Sequence, residues 1–336
     1  MFRRLLFLTL MPLLSAQLVL AVAQSFTELF AKIDADLRAG NVDAAIKGCD
    51  GIIVLNLTPQ LASAAIMRRG SCYYAKHDAE RAIADYDQAL RLDPKNAAAY
   101  DNRGTALEAR GDLDDAMKDY SESVRLNPRN SYVYVNRGVL RSDEADFSGA
   151  LADFARALSL NPRSEYAHAG RSRVYLLRNE PEKALEEANA AIAISPDEAL
   201  GYDRRARAYV KLGRYAQVDA DIRKATHLKS YDRKSGLSLV AWFRATCPDP
   251  HFRDGKQALE AARLSCGSTN FFGYACLDNL AAAYAEVGDF DQAVNCQMRA
   301  LEKAPSRYPE LSEMKQQQEQ YKKRKPYRDE PKRKPS

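Results

Sequence analysis

The sequence has few of the residues that carry most enzyme and metal chemistry. Its 336 residues include only four histidines, six cysteines and one tryptophan, and the histidines are scattered. There is no H-E-x-x-H or C-x-x-C spacing, and the pair Cys247 and His251 offers too few ligands for a zinc site. Phosphate-binding-loop and nucleophile-elbow patterns are absent as well. The sequence therefore predicts no catalytic residue, no metal, no cofactor and no small-molecule substrate.

The first 23 residues differ from the rest of the chain. Two arginines follow the first two residues, an apolar run comes next, and Ala21-Val22-Ala23 ends the segment. A short basic start, an apolar stretch and an A-x-A end are typical of a secretory signal. We therefore expect residues 1–23 to be removed and the protein to be periplasmic or secreted. The alternative is an uncleaved anchor in the inner membrane formed by residues 5–23, which are just long enough to span it.

A 34-residue interval organises the middle of the chain. It relates four prolines: Pro94, Pro128, Pro162 and Pro196. It also relates small residues (Gly70, Gly104, Gly138; Ala82, Ala116, Ala150, Ala184) and aromatic ones (Tyr86, Tyr120, Phe154). Such a period is typical of stacked repeats, none of which buries its apolar face alone. At these residues the sequence resembles the tetratricopeptide repeat (TPR) family, which implies an all-α fold: a right-handed α-solenoid, or superhelix, of about eight antiparallel helix pairs.

The repeats divide the chain into segments. We predict a degenerate capping repeat over 24–62, five consecutive repeats over 63–230 and a variant repeat with a long inter-helix turn over 231–273. A last repeat over 274–305 and a capping helix over 306–321 follow. From residue 322 to 336 eight basic residues stand against two acidic ones. This composition predicts a disordered basic tail that either stays solvated or binds an anionic surface, whereas nucleic acid is disfavoured for an exported protein.

Each regular repeat carries an arginine and, sixteen positions later, an acid. The columns are Arg69, Arg103, Arg137, Arg171 and Arg205, and Asp85, Asp119, Asp153, Glu187 and Asp221. In the last repeat Leu280 and Cys296 replace both charges together. Joint loss favours ion pairs between the two helices of a repeat, with an anion-binding groove as the alternative.

The cysteines are expected to be mainly buried free thiols, because several occupy small-residue columns. Two pairings stay open in an exported protein. Cys49 and Cys72 fall on adjacent helices, and Cys266 and Cys276 lie on either side of a repeat junction.

The resemblance implies that the first helices of the repeats form a concave wall that binds a peptide or protein. Carried over to this sequence, the candidate binding residues are Tyr74, Asp101, Asn102, Thr105, Tyr132, Val135, Asn136, Tyr166, Arg173, Arg204, Arg207 and Lys211. Asn102 and Asn136 are placed to bond a peptide backbone, and Tyr132 and Tyr166 to hold apolar side chains. Some family members grip a terminal carboxylate, but Met67, Ser71 and Tyr132 occupy the positions needed for that clamp. The alternative for every residue is an ordinary solvated wall.

These observations predict a non-enzymatic, exported scaffold with a protein or peptide partner. An envelope assembly or secretion chaperone is one alternative. The other is a module that positions a separate enzyme.

Overall fold

The structure, a computed structural model, describes residues 16–55, 58–228, 233–267, 273–306 and 308–329. Within these residues it contains seventeen α-helices, one short 3₁₀ helix and no strand. The helices are α1 (Ala16–Arg38), α2 (Val42–Leu55), α3 (Pro59–Ala75), α4 (Ala79–Leu92), α5 (Ala97–Arg110), α6 (Leu113–Leu126), α7 (Ser131–Asp143), α8 (Phe147–Leu160), α9 (Glu165–Leu177), α10 (Pro181–Ile194), α11 (Ala199–Lys211), α12 (Tyr215–His227), α13 (Arg233–Thr246), α14 (Gly255–Gly267), α15 (Tyr274–Glu286), α16 (Phe290–Lys303) and α17 (Leu311–Lys322).

Consecutive helices pack as pairs, from α1 with α2 to α15 with α16, and α17 packs on α16. The predicted all-α fold built from about eight helix pairs is thus confirmed. The chain divides into two compact parts, residues 1–128 with α1 to α6 and residues 129–336 with α7 to α17.

Glycine allows the two helices of a repeat to touch. A Cβ added at Gly104 would lie 2.8 Å from a ring carbon of Tyr120, and one added at Gly138 would lie 2.9 Å from Phe154. Both rings are fully buried. The recurring glycine and the recurring aromatic residue are therefore the two partners of one close contact between helices, which is repeated along the chain.

The arginine and acid columns form the predicted ion pairs. In the five repeats the nitrogen–oxygen distances between the paired side chains run from 2.5 to 3.0 Å. Three of the arginines also reach back to the preceding repeat: Arg69 to Asp50 at 2.8 Å, Arg103 to Asp87 at 2.6 Å, and Arg205 to the Asn189 side-chain oxygen at 3.1 Å. The columns therefore join neighbouring repeats as well as the helices of one repeat, a second contact that the sixteen-residue spacing did not indicate.

The repeat after α12 has the predicted long turn. A 3₁₀ helix, Pro250–Phe252, separates α13 from α14, and Phe252 packs against the rings of Tyr215 and Phe243. The turn therefore adds apolar cover to the core around α13, which also contains the single tryptophan, Trp242.

The expectation of buried free thiols holds for four cysteines, and of the two pairings left open, that of Cys266 with Cys276 forms. Cys49, Cys72, Cys247 and Cys296 are buried free thiols. Cys266, near the end of α14, is joined by a disulfide to Cys276 in the first turn of α15, with the two Cα atoms 5.7 Å apart. This separation lies within the range that a disulfide bridges without moving the backbone.

The expectation of a disordered tail from Lys322 does not hold for residues 322–329. Lys322 ends α17, and the chain then continues without regular structure to Asp329, whose side chain is buried. Two of the basic residues here pair with acids, Lys322 with Glu319 and Arg328 with Glu286, both at 2.8 Å. Composition alone did not predict this order, because it does not show that Tyr327 and Asp329 have specific partners elsewhere in the chain.

At the other end, α1 begins at Ala16 and runs through the predicted cleavage position after Ala23. The rest of the predicted signal, residues 1–15, lies outside the described residues. Within the described chain no helix is long and apolar enough to cross a membrane.

Candidate functional site

Four of the predicted binding residues lie in the first part of the chain, on α3 and α5. They are Tyr74, Asp101, Asn102 and Thr105, all partly exposed. The Asn102 amide donates to Ser71 Oγ at 3.3 Å, and Thr105 donates to the Asp101 carbonyl at 3.1 Å. Polar side chains in this part of the wall are thus largely bonded to one another.

The second part of the chain brings six predicted residues together in one cleft. It has a volume of about 460 Å³ and is bordered by α7, α9, α11 and α15. The predicted residues that line it are Tyr132, Val135, Asn136, Tyr166, Arg173 and Arg204. We call this space the tyrosine cleft.

The tyrosine cleft is apolar and open to solvent at its rim. Tyr132 keeps 63% of its surface exposed and Tyr166 keeps 49%. Beneath them Val135 and Ala169 are buried and form an apolar floor. Large exposed rings above such a floor form the kind of surface that marks a binding site on a soluble protein.

Tyr274 closes the opposite side of the tyrosine cleft, and sequence reasoning missed it. It is the first residue of α15, and its ring meets Tyr308 edge-on with centroids 4.7 Å apart. The residue belongs to a repeat well beyond those that supply the other walls. The sequence shows only an aromatic residue at the start of a helix. It does not show that α15 lies beside the cleft formed by α7, α9 and α11.

The basic residues at the end of the tyrosine cleft are paired with acids of the protein. Arg173 bonds the Asp143 carboxylate and donates to Ser142 Oγ at 3.0 Å. Arg204 and Arg207 both reach the buried carboxylate of Asp203, at 2.9 and 3.1 Å. The positive charge of these arginines is therefore partly neutralised, and their side chains are fixed in position by these partners.

The last two predicted residues, Arg207 and Lys211, line a second cavity of about 300 Å³. It adjoins the tyrosine cleft, because Arg173, Arg204 and Tyr274 border both spaces. Lys211 Nζ lies 2.8 Å from an oxygen of Asp329. Burial lowers the pKa of Lys211, but the charge of Asp329 and the hydrogen bond to it raise the pKa above its ordinary value overall. The lysine predicted to meet a partner is thus occupied by the protein's own tail.

An acidic group lies beside this cavity. Asp278 on α15 accepts a hydrogen bond from Gln297 Nε2 at 2.7 Å. Burial, with a further contribution from Glu310 and Glu313, raises the pKa of Asp278 to about 7, although Gln297 and Arg207 act in the opposite direction. Part of the Asp278 carboxyl population is therefore protonated at neutral pH. In the part of the chain that the structure describes, no group of three or more His, Cys, Asp or Glu side chains is arranged so that it could hold a metal ion.

Comparisons with known proteins point to one family. Sequence profiles of the tetratricopeptide repeat match residues 67–131, 135–199 and 274–307. None of the curated proteins matches the sequence.

One of the similar solved structures shares the fold, that of the first protein named here. A tetratricopeptide repeat protein from Parabacteroides merdae is 20% identical, with a TM-score of 0.60, over 77% of this chain and 99% of its own. A thermophilic TPR protein from Thermus thermophilus is 22% identical, with a TM-score of 0.47, over 53% of this chain and 97% of its own. The repeat profiles, the helix pairs and the shared fold lead to one conclusion: this chain is a tetratricopeptide repeat protein, built on a fold that serves as a protein–protein interaction scaffold.

Proposed function

We propose that this protein is an exported, non-enzymatic scaffold that holds an extended segment of a partner protein in the tyrosine cleft. The observation that carries the proposal is the pair of solvent-exposed rings, Tyr132 and Tyr166, above a buried apolar floor. Aromatic side chains are enriched where interfaces gain most of their binding energy. A volume of about 460 Å³ accommodates a few side chains of such a segment.

The polar residues of the cleft suit a peptide backbone. The Asn136 amide carries two donor hydrogens and an acceptor oxygen, so it can serve the wall and a ligand together. Arg173, which also lines the cleft, is fixed by Asp143 and Ser142, and a guanidinium carries five donor hydrogens in all. An extended segment with an apolar side chain between the rings and carbonyl groups facing these residues fits this arrangement.

Export remains part of the proposal. The basic and apolar start of the sequence, which ends in Ala21-Val22-Ala23, supports it. The disulfide between Cys266 and Cys276 supports it independently, because such bonds persist in oxidising compartments. Sequencing the N-terminus of the protein purified from its own host tests this point. A mature chain beginning at Gln24 is the expected result, and a retained Met1 in a cytosolic fraction would rule export out.

Selection from a displayed peptide library tests the cleft directly. Peptides selected on the wild-type chain should bind the Tyr132→Ala/Tyr166→Ala variant at least about ten-fold more weakly, since each aromatic hot spot contributes over about 1 kcal/mol. The control variant is Leu264→Ala/Met298→Ala, which removes two similarly exposed apolar side chains from α14 and α16. Equal affinity for all three proteins would contradict binding in the cleft.

A further inference from the structure

The chain beyond α17 is held by specific polar contacts in addition to the apolar packing of Tyr327. Residues 325–329 have no regular secondary structure, and Tyr327, Arg328 and Asp329 each contact different residues of the helices. We call Tyr327–Asp329 the tail motif.

Asp329 is bound most closely. Its carboxylate accepts from Lys211 Nζ at 2.8 Å and from Trp242 Nε1 at 3.1 Å, and its own N–H donates to the carbonyl of Thr246 at 3.0 Å. The residue keeps 6% of its surface exposed. A carboxylate so buried needs a charged partner and hydrogen-bond donors, and this site supplies both.

The other two residues of the tail motif are bound on either side of Asp329's site. Arg328 pairs with Glu286 at 2.8 Å and donates to the carbonyl of Ala245 at 3.1 Å. Tyr327 donates to Glu313 at 2.6 Å, and its ring lies 6.0 Å from that of Trp242. Three neighbouring side chains of different chemistry thus meet three matching sites.

This pattern is that of peptide recognition. Main-chain hydrogen bonds hold an extended segment, and separate side-chain sites give specificity. The receiving residues come from four helices: Lys211, Trp242, Glu286 and Glu313. Three of them, Lys211, Trp242 and Glu313, also border the 300 Å³ cavity that adjoins the tyrosine cleft.

We propose that Lys211, Trp242, Glu286 and Glu313 form a receptor for an extended aromatic–basic–acidic segment, which the tail motif fills as an internal ligand. A partner segment with the same order of side chains would displace it. Binding of a partner segment to this receptor rests on the proposed function, whereas the internal contact does not. The contacts of the tail motif are mainly ion pairs and hydrogen bonds, which can be exchanged for equivalent contacts from another segment.

The internal ligand should weaken binding of an added one. A tethered segment has an effective concentration in the millimolar range. If its intrinsic affinity is about 10 μM, the receptor is filled about 99% of the time, and an added segment binds about 100-fold more weakly than to an empty receptor. Removing the internal contacts therefore creates affinity for the same sequence added separately.

The test uses full-length chains and a labelled peptide that repeats residues 325–330, Lys-Pro-Tyr-Arg-Asp-Glu. Fluorescence anisotropy should show at least about ten-fold tighter binding to the Tyr327→Ala/Asp329→Asn variant than to the wild-type chain. Adding Lys211→Met to that variant should abolish the gain. The control variant Lys323→Ala/Glu302→Gln changes two exposed charged residues and should behave as the wild type.

Two results would overturn the proposal. The first is a Tyr327→Ala/Asp329→Asn chain with wild-type helicity that does not bind the peptide. The second needs no variant: hydrogen exchange at the amide of Asp329 in the wild-type chain that saturating peptide leaves unchanged. Failure of the tyrosine cleft would be distinguishable, because Tyr132→Ala/Tyr166→Ala leaves every residue of this receptor in place.

Discussion

At the scale of single residues, the repeat columns correspond to contacts that tolerate little change. The glycine column exists because the ring of Tyr120 fills the space where a Cβ would lie, 2.8 Å away. Interiors are packed so closely that one added carbon forces neighbours to shift. Sequence periodicity predicted this contact, since a small residue and an aromatic one recur together.

Gly104→Ala should lower the free energy of unfolding by up to about 2 kcal/mol, because an overpacking cost of about 1–3 kcal/mol outweighs a gain in helix propensity of about 1 kcal/mol. Gly51→Ala is the matched control, since a Cβ there meets nothing within 4 Å. It should stabilise the protein by up to about 1 kcal/mol. Urea unfolding measures both, and the same sign for both would contradict the packing account.

Arg205→Leu should cost about 1–3 kcal/mol of stability, because it strands the Asp221 carboxylate, which keeps 4% of its surface exposed. Adding Asp221→Cys reproduces the apolar combination found in the last repeat and should recover part of that loss. Arg223→Leu, which removes a far more exposed arginine on the neighbouring α12, should change stability by less than about 0.5 kcal/mol. A double variant less stable than Arg205→Leu would exclude a simple pairing role.

At the scale of elements, the helices and their pairing could be predicted from sequence, whereas the contacts that close the chain's end could not. Helix periodicity and the turn residues place α3 to α12, and an apolar side containing Met314 predicts α17. Sequence spacing left the Cys266–Cys276 pairing open, because the formation of this bond, like the order of Tyr327 to Asp329, depends on distances between separate repeats that no local pattern encodes. For the same reason sequence reasoning missed Tyr274, although the resemblance had named six other residues of the cleft.

The disulfide should be visible by thiol counting. The denatured, unreduced protein should show four free thiols, and Cys266→Ser/Cys276→Ser should lower the free energy of unfolding by about 3 kcal/mol, the entropy of closing a short loop. Cys247→Ser, at a buried free thiol, gives the effect of losing a cysteine without a bond. Six free thiols in the exported protein would contradict the α14–α15 link.

Asp278 should make the packing of α15 against α16 and α17 dependent on pH. Its pKa rises from an ordinary 3.8 to about 7 in the folded protein, so between these values the folded state holds a proton that the unfolded state has lost. Stability from this group is therefore full at low pH and falls as pH rises from about 4 to 7.

Asp278→Asn removes that fall, so its melting temperature relative to the wild type should rise more at about pH 8 than at about pH 5. Glu310, Glu313 and Arg207 face the same carboxyl and remain in the variant. Asp291→Asn, at an exposed acid in the first turn of α16, supplies the control. Parallel pH profiles for the wild type and Asp278→Asn would refute the shift.

In the molecule as a whole, the candidate binding residues lie on the first helices of the repeats. The resemblance named most of the wall residues, and the structure distinguishes among them. Some are bonded within the wall, such as Asn102, and one, Lys211, is occupied by the tail. The exposed rings of Tyr132 and Tyr166 stand out as the surface that is most suited to a partner.

Photo-crosslinking in the native host tests whether a partner binds in the tyrosine cleft. A benzophenone amino acid replaces Tyr132 or Tyr166 in the full-length chain, and Leu264 or Met298 in the control chains. Both cleft positions are expected to crosslink to the same discrete protein, with the crosslinks in one extended segment of it. The control positions are expected not to crosslink to that protein. Crosslinks at Leu264 and Met298 to that protein, with none from the cleft, would contradict binding in the cleft.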